Sequence, residues 1–318
     1  MAFKVVIPQD ITDAGKDFLK ERGYEIVIGS GSLDLEVLKA EISDADAILA
    51  RTAPFPAEVL AAAPKLKVIG RHGVGIDNID VDYCTKNNIL VTNAPQSNAN
   101  SVAEHTIGFL FALAHNMAYM DKETRRGNWE IRNKVKGTDV AEKTLGLIGL
   151  GRIGSMVAQK AVFGAGMNVM AFDAMLPADK YPEHITRVDS IEAVFEQADF
   201  VSMHVPATPQ TKDMVNTKML SRMKKSAFLI NCARGEVVNE DDLYQALKNG
   251  TIRGAALDVL KVEPAAATHP LFTLDNILVS PHNAALTHES MDRMGLHAAM
   301  GIDAVLNGKK PEWAVNSI

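Results

Sequence analysis

Residues 144–154 read Thr-Leu-Gly-Leu-Ile-Gly-Leu-Gly-Arg-Ile-Gly, an apolar run that meets Gly149-x-Gly151-x-x-Gly154 and continues into the helical pattern Ser155–Phe163. Few arrangements satisfy that order of strand, glycine turn and helix. Gly149 permits the tight turn, Gly151 lets the backbone approach a pyrophosphate, and Gly154 lets the helix pack closely on the strand. The helix N-terminus offers free N–H groups and a partial positive charge to an anion, and Arg152 and Ile153 within the turn are expected among the cofactor-binding residues. Asp173 closes the next apolar run, about 20 residues past the last glycine, where a carboxylate binds a ribose diol. A carboxylate there repels a 2′-phosphate, and no arginine follows in Asp173-Ala174-Met175-Leu176. The expected cofactor is therefore NAD rather than NADP.

The same rhythm runs through the chain. Short β-branched runs at Val5–Ile7, Glu25–Ile28, Ala47–Ala50, Lys67–Ile69 and Ile89–Val91 each precede a helix or turn signal. A second series follows at Thr144–Ile148, Asn168–Phe172, Phe200–Met203, Ala227–Ile230, Gly254–Leu257 and Ile277–Val279. Alternation of this kind predicts βαβ units and parallel sheets. The expected fold is α/β, with two Rossmann-like or flavodoxin-like domains: residues 1–98 plus 287–318, and residues 99–286. Between the two series, Val102, Thr106, Phe109, Leu113, Met117 and Met120 recur at helical spacing, with Ile107, Leu110, Phe111 and Ala114 on other faces. One helix over 101–126, apolar on most sides, is expected to be buried on most sides, to cross between the domains and to offer a homodimer interface. The closing segment from Thr287 to Leu306 reads as a helix stopped by Asn307-Gly308.

Composition narrows the function classes. With 318 residues, 47% hydrophobic and 23% charged, the chain can bury a core in each domain and is not a disordered type. A net charge of -6 gives no field for a polyanion, so nucleic-acid and anionic-membrane binding are not expected, and an anionic substrate must be held locally. Cys84 and Cys232 show neither a disulfide framework nor a metal-ligand spacing, so no metal is expected and a reducing, cytoplasmic compartment is. The N-terminal run ends at Pro8 and lacks a signal-peptide pattern, and no apolar stretch approaches a membrane span.

Three polar islands follow predicted strands of the second series, where ligands meet the carboxyl ends of parallel strands. They are Asn231-Cys232-Ala233-Arg234-Gly235, Asp258-Val259-Leu260-Lys261-Val262-Glu263-Pro264 and Ser280-Pro281-His282-Asn283-Ala284. Singly, each has a plain alternative: a surface ion-pair arginine, a turn glutamate before proline, a satisfied histidine.

Their order, together with Arg71-His72-Gly73-Val74-Gly75-Ile76-Asp77-Asn78-Ile79-Asp80 and the Gly149–Gly154 and Asp173 set, resembles the D-isomer-specific 2-hydroxyacid dehydrogenase family over essentially the whole chain. The resemblance implies an active site in an interdomain cleft with Arg234, Glu263 and His282 as the catalytic set. His282 would be the acid/base of the hydroxyl, because an imidazole titrating near neutrality serves both directions. Glu263 would orient that ring and favour its protonated form, and Arg234 would grip the substrate carboxylate. Backbone N–H groups of Val74 and Gly75 would complete the carboxylate site. Asp258 is expected at the nicotinamide end, and Cys232 with Ala233 near the cofactor, not as a nucleophile. Relatives that oxidise formate lack the glutamate, so Glu263 argues against that chemistry.

Arg51 and Arg71 make the chain most similar to the D-3-phosphoglycerate dehydrogenase branch, where small-domain arginines meet a substrate phosphate; Arg132 is a third candidate. Ser97 stands where relatives with bulky substrates place an aromatic, which implies a small polar substrate. His72 departs from that branch, which has a small residue there, and the 129–137 stretch is one residue longer. The end at Ile318 leaves no regulatory domain, so serine feedback is not expected. Two other readings stand beside a phosphorylated substrate. One is a dehydrogenase of an unphosphorylated acid (hydroxypyruvate, glyoxylate, lactate or a branched 2-keto acid); the other is an NAD(H)-sensing corepressor of the same fold.

Overall fold

The computed structural model of the chain describes residues 2–318, which divide into two compact units, residues 2–99 with 285–318 and residues 100–284. In the first unit, β1 (Lys4–Ile7), β2 (Glu25–Ile28), β3 (Ala47–Ala50), β4 (Val68–Arg71) and β5 (Leu90–Thr92) form a sheet of order β2-β1-β3-β4-β5. Every pairing is parallel. This is the flavodoxin-like winding, in which ligands meet the carboxyl ends of the strands. Val6, Ile48 and Ile69 point to one core with Phe55 and Leu60, while Val5, Leu49 and Val68 point to the other, against Ala298, Ile302 and Leu306 of the helix His288–Leu306. A sheet covered on both faces needs apolar residues at successive positions, which is why Ala-Ile-Leu-Ala of β3 does not alternate.

In the second unit, β6 (Thr144–Ile148), β7 (Asn168–Phe172), β8 (Thr186–Arg187), β9 (Phe200–Met203), β10 (Phe228–Asn231), β11 (Gly254–Leu257) and β12 (Ile277–Val279) form a parallel sheet. Its order is β12-β11-β10-β9-β6-β7-β8. The order reverses at β6, so the doubly wound switch point lies at the end of the strand that carries the glycine turn. Strands β9, β10 and β11 are buried at every position.

The expected single helix over 101–126 is two helices, Ala99–Ala114 and Met117–Arg125. Asn116 breaks it with a left-handed φ of 52°, and its side chain donates to the Lys136 carbonyl. The first helix buries Val102, Thr106, Leu110 and Leu113, but the second buries no residue, so the apolar pattern overstates burial past His115. The helix expected over Ser155–Phe163 spans Arg152–Gln159 and loosens into a π turn, Lys160–Gly164. Thr287 is the cap of the last helix, accepting from the Ser290 N–H. Among the described residues no helix is long and apolar enough to cross a membrane.

Candidate active site

The glycine turn is built for a backbone that approaches something closely. Gly149 holds φ 94°, and a Cβ on it would sit 2.5 Å from the His204 carbonyl oxygen. A Cβ on Gly154 would sit 2.3 Å from the Gly149 oxygen, so only glycine lets this helix start so near the strand. Gly151 differs: its added Cβ would meet nothing within 4 Å, and the helix that starts at Arg152 has no side-chain cap. Open space before an uncapped helix start suits a pyrophosphate. Asp173 accepts from the Leu150 N–H at 2.7 Å and from those of Met175 and Leu176 at 2.8 and 3.0 Å. Burial pushes its carboxyl up, but the three N–H groups outweigh it and hold the pKa below the usual range. An ionised carboxylate with spare lone pairs fits a ribose diol, and the residues present fit NAD.

The three polar islands leave β10, β11 and β12, which are neighbours in the sheet. Asn231, fully buried, folds the first loop on itself: its side-chain Oδ1 accepts from the Ala233 N–H and its Nδ2 donates to the Arg234 carbonyl. The next residue, Gly235, lies so near Leu260 that a Cβ would fall 2.1 Å from the Leu260 carbonyl carbon. That approach seats the Arg234 loop on the loop that carries Glu263. Glu263 accepts from the Leu260 N–H at 2.9 Å with one oxygen, and its other oxygen is 2.7 Å from His282 Nδ1. His282 has φ 51°, and its N–H donates to the Asp258 and Ser280 carbonyls.

The electrostatics follow from that pairing. The hydrogen bond to Glu263 raises the His282 pKa above the ordinary imidazole value; burial opposes it, the Glu263 and Asp258 charges add to it, and the Arg234 charge subtracts. Glu263 is depressed: burial raises it, but the bonds from His282 and the Leu260 N–H, with the His282 and Arg234 charges, prevail. Arg234 is thus within electrostatic reach of both. The arrangement holds a half-exposed imidazole in a fixed tautomer beside a guanidinium.

Other expected residues have different surroundings. Asp258 is 1% exposed, and its carboxylate accepts from Ser280 Oγ and from the N–H groups of Asn283 and Ala284. What the structure shows it doing is holding the His282 loop. Cys232 is buried, with its thiol pushed up to about 12 by burial, which removes the thiolate a nucleophile needs. In the first unit, Arg51 donates to the Asp10 carbonyl at 2.6 Å and Arg71 to the His72 carbonyl. Both lie at the carboxyl edge of that sheet, as do half-buried Val74 and Gly75, where the Val74 carbonyl accepts from Asn93 Nδ2. Ser97 is 1% exposed and donates to the Ala94 carbonyl, so it offers small size rather than a free hydroxyl. Arg132 is exposed on the short helix Ile131–Lys134. Asn231, Ser280 and His105 escaped assignment from sequence, although each is a polar residue in an otherwise apolar run or beside a named one.

Residues 107–284 match the NAD binding domain of the D-isomer specific 2-hydroxyacid dehydrogenases. The chain belongs to that family. It is 40% identical over 315 residues to D-3-phosphoglycerate dehydrogenase of Methanocaldococcus jannaschii, covering 98% of this chain and 59% of that one. The chain thus spans little more than half the length of the phosphoglycerate dehydrogenases it matches. Glyoxylate reductase of Korarchaeum cryptofilum is 37% identical, over 94% of this chain and 93% of its own. A protein of known structure from Thermus thermophilus superposes with a TM-score of 0.92 at 32% identity, covering 99% of this 2-hydroxyacid dehydrogenase family member and 100% of its own chain.

Proposed function

We propose that this protein moves a hydride between nicotinamide and C2 of a D-2-hydroxy acid or its 2-keto partner, and that 3-phosphoglycerate and 3-phosphohydroxypyruvate are the pair it serves. The observation that carries the reaction class is the His282–Glu263 pair, 2.7 Å apart beside Arg234, on loops from adjacent strands of a dinucleotide-binding sheet. Gly149–Gly154 and Asp173 would hold NAD, which would supply the hydride acceptor or donor. The chain supplies the proton and the orientation. Nδ1 of His282 stays on Glu263, which leaves Nε2 to take the hydroxyl proton in oxidation or to return it to the carbonyl oxygen in reduction. The raised imidazole pKa favours the charged form that reduction consumes. Arg234 presents a planar fork to the substrate carboxylate.

The phosphate falls to Arg51 and Arg71, each able to add charge-assisted hydrogen bonds worth about 1.5–3 kcal/mol. Support comes from the 35–40% identity to several phosphoglycerate dehydrogenases. A second reading, an unphosphorylated 2-keto acid, has the glyoxylate reductase likeness over nearly both full lengths behind it. Following NADH absorbance with 3-phosphohydroxypyruvate, hydroxypyruvate, glyoxylate, pyruvate and a branched 2-keto acid in parallel separates the two. The expected result is the highest kcat/KM with the phosphorylated acid, reduced about tenfold or more by Arg71→Ala while glyoxylate turnover changes little. Preference for glyoxylate, with Arg71→Ala neutral, sinks the phosphate assignment and leaves the reaction class standing.

A further inference from the structure

On the helix Ala99–Ala114, His105 sits where no proposed catalytic step uses it. Its side chain is one-quarter exposed and packs edge-on against Phe109, ring centroids 4.4 Å apart. Nε2 lies 3.1 Å from Ser280 Oγ and 3.8 Å from Asp258 Oδ1. Because the Ser280 hydroxyl donates to Asp258, its lone pairs are what remain for His105, so Nε2–H is the donor. The chain of donation therefore runs one way, from His105 to Ser280 to Asp258. Asp258 in turn receives the N–H groups of Asn283 and Ala284 on its carboxylate and that of His282 on its carbonyl, at 2.9, 3.0 and 2.8 Å. One buried residue thus fixes three consecutive residues of the loop, including the left-handed backbone of His282, a conformation a non-glycine residue keeps only when its surroundings over-determine it.

We propose that His105 is a positioning residue: acting through Ser280, it completes the donor set of Asp258 and so sets both the seat and the proton affinity of His282. The consequence for turnover rests on His282 being the acid/base; the network does not. The charged and titratable groups around it are few. Asp258 faces His105 from the end of β11, and Cys232, one loop away, bonds Thr106 on the same helix and stays a thiol. Glu104, next on the helix, turns to Lys160 at 3.5 Å. Glu263, Asp258 and Arg234 are the charges that reach His282. Each donor on Asp258 drains the negative field felt by His282, so removing a donor strengthens that field and also loosens the loop.

The test is an NMR titration of the histidine rings in the intact chain, wild type against His105→Leu, Ser280→Ala and the double variant, alongside steady-state rates. The His282 midpoint should move upward in both single variants, and the double variant should match Ser280→Ala alone, because His105 acts through that hydroxyl. Exchange of the Asn283 and Ala284 amides should quicken, and kcat should fall about tenfold with KM for NADH unmoved, the rate equivalent of one hydrogen bond. Ser280→Thr, which keeps the hydroxyl, should restore the midpoint; if His105→Leu does not fold, the Ser280 pair carries the test. An unmoved midpoint in His105→Leu, or additive shifts in the double variant, overturns the proposal. A shifted midpoint in a protein without turnover would instead keep the network and reject the acid/base role.

Discussion

His72 follows β4 in the first unit and His282 stands three residues past β12 in the second, both at the carboxyl end of a parallel sheet, yet their protons are treated in opposite ways. His72 is 4% exposed, and burial, then the charges of Arg51 and Arg71, push it down to about 4, so it is neutral near pH 7. His282 is half-exposed and hydrogen-bonded to a carboxylate that raises it. Position at a strand end makes a histidine available to a ligand, but burial first, and then the sign of the nearest charge, decide whether it can exchange a proton at physiological pH. A carboxylate partner favours the charged ring, the state the proposed acid/base role requires; a dry setting and two guanidiniums favour the neutral one.

The strongest break of that contrast is His282→Asn. Turnover should fall about 1,000-fold, within the range general acid–base catalysis contributes, with NADH binding by fluorescence retained. The matching change at His72 should leave turnover within a few-fold of wild type. Comparable losses at the two sites would dissolve the distinction. A smaller effect is expected from Glu263→Gln, which keeps the size and removes the charge. Since Glu263 is what raises the imidazole, the amide should lower the His282 pKa, and reduction, which consumes the charged form, should lose rate at a lower pH than in the wild type. The check is the alkaline limb of kcat/KM for reduction: it must move toward acid, and an unmoved limb means that Glu263 does not set the proton.

How much of this is legible in the sequence depends on the range of the interaction. β6, β7, β9, β11 and β12 have the bounds that their apolar runs predict, because each is bounded by local turn chemistry. The break at Asn116 was not legible, since the carbonyl its side chain meets belongs to Lys136, far along the chain. β8, two exposed residues at the sheet edge, carries no burial pattern to read. In the site, the islands after β10, β11 and β12 announce polar loops at strand ends. Their joining does not show in sequence: Gly235 seated on Leu260, the Asn283 and Ala284 N–H groups on Asp258, and His105 on Ser280 are contacts between distant segments. Residue type likewise says nothing of direction, as Ser97 shows by turning its hydroxyl inward.

The finest test of the comparison reads His72 through stability rather than rate. Its folded pKa, about 4, lies below the ordinary 6.5, so in that window the unfolded chain binds a proton that the native state refuses. The contribution is whole above pH 6.5, and stability falls as pH drops toward 4, by about 1.4 kcal/mol per pH unit for one such group. Its Nε2 is buried without a hydrogen-bond partner, so an apolar replacement removes one unsatisfied polar atom together with the ring's bond to the Met291 backbone, and the two changes offset. His72→Leu should therefore be near neutral in urea unfolding at pH 7. At pH 4.5 the variant should have lost on the order of 2–3 kcal/mol less than the wild type. Part of the acid slope should survive, because burial also lowers His204 to about 4 and that residue is untouched. If wild type and variant lose stability in parallel between pH 7 and 4.5, His72 titrates as an ordinary imidazole, and the opposition between the two histidines reduces to the single bond from His282 to Glu263.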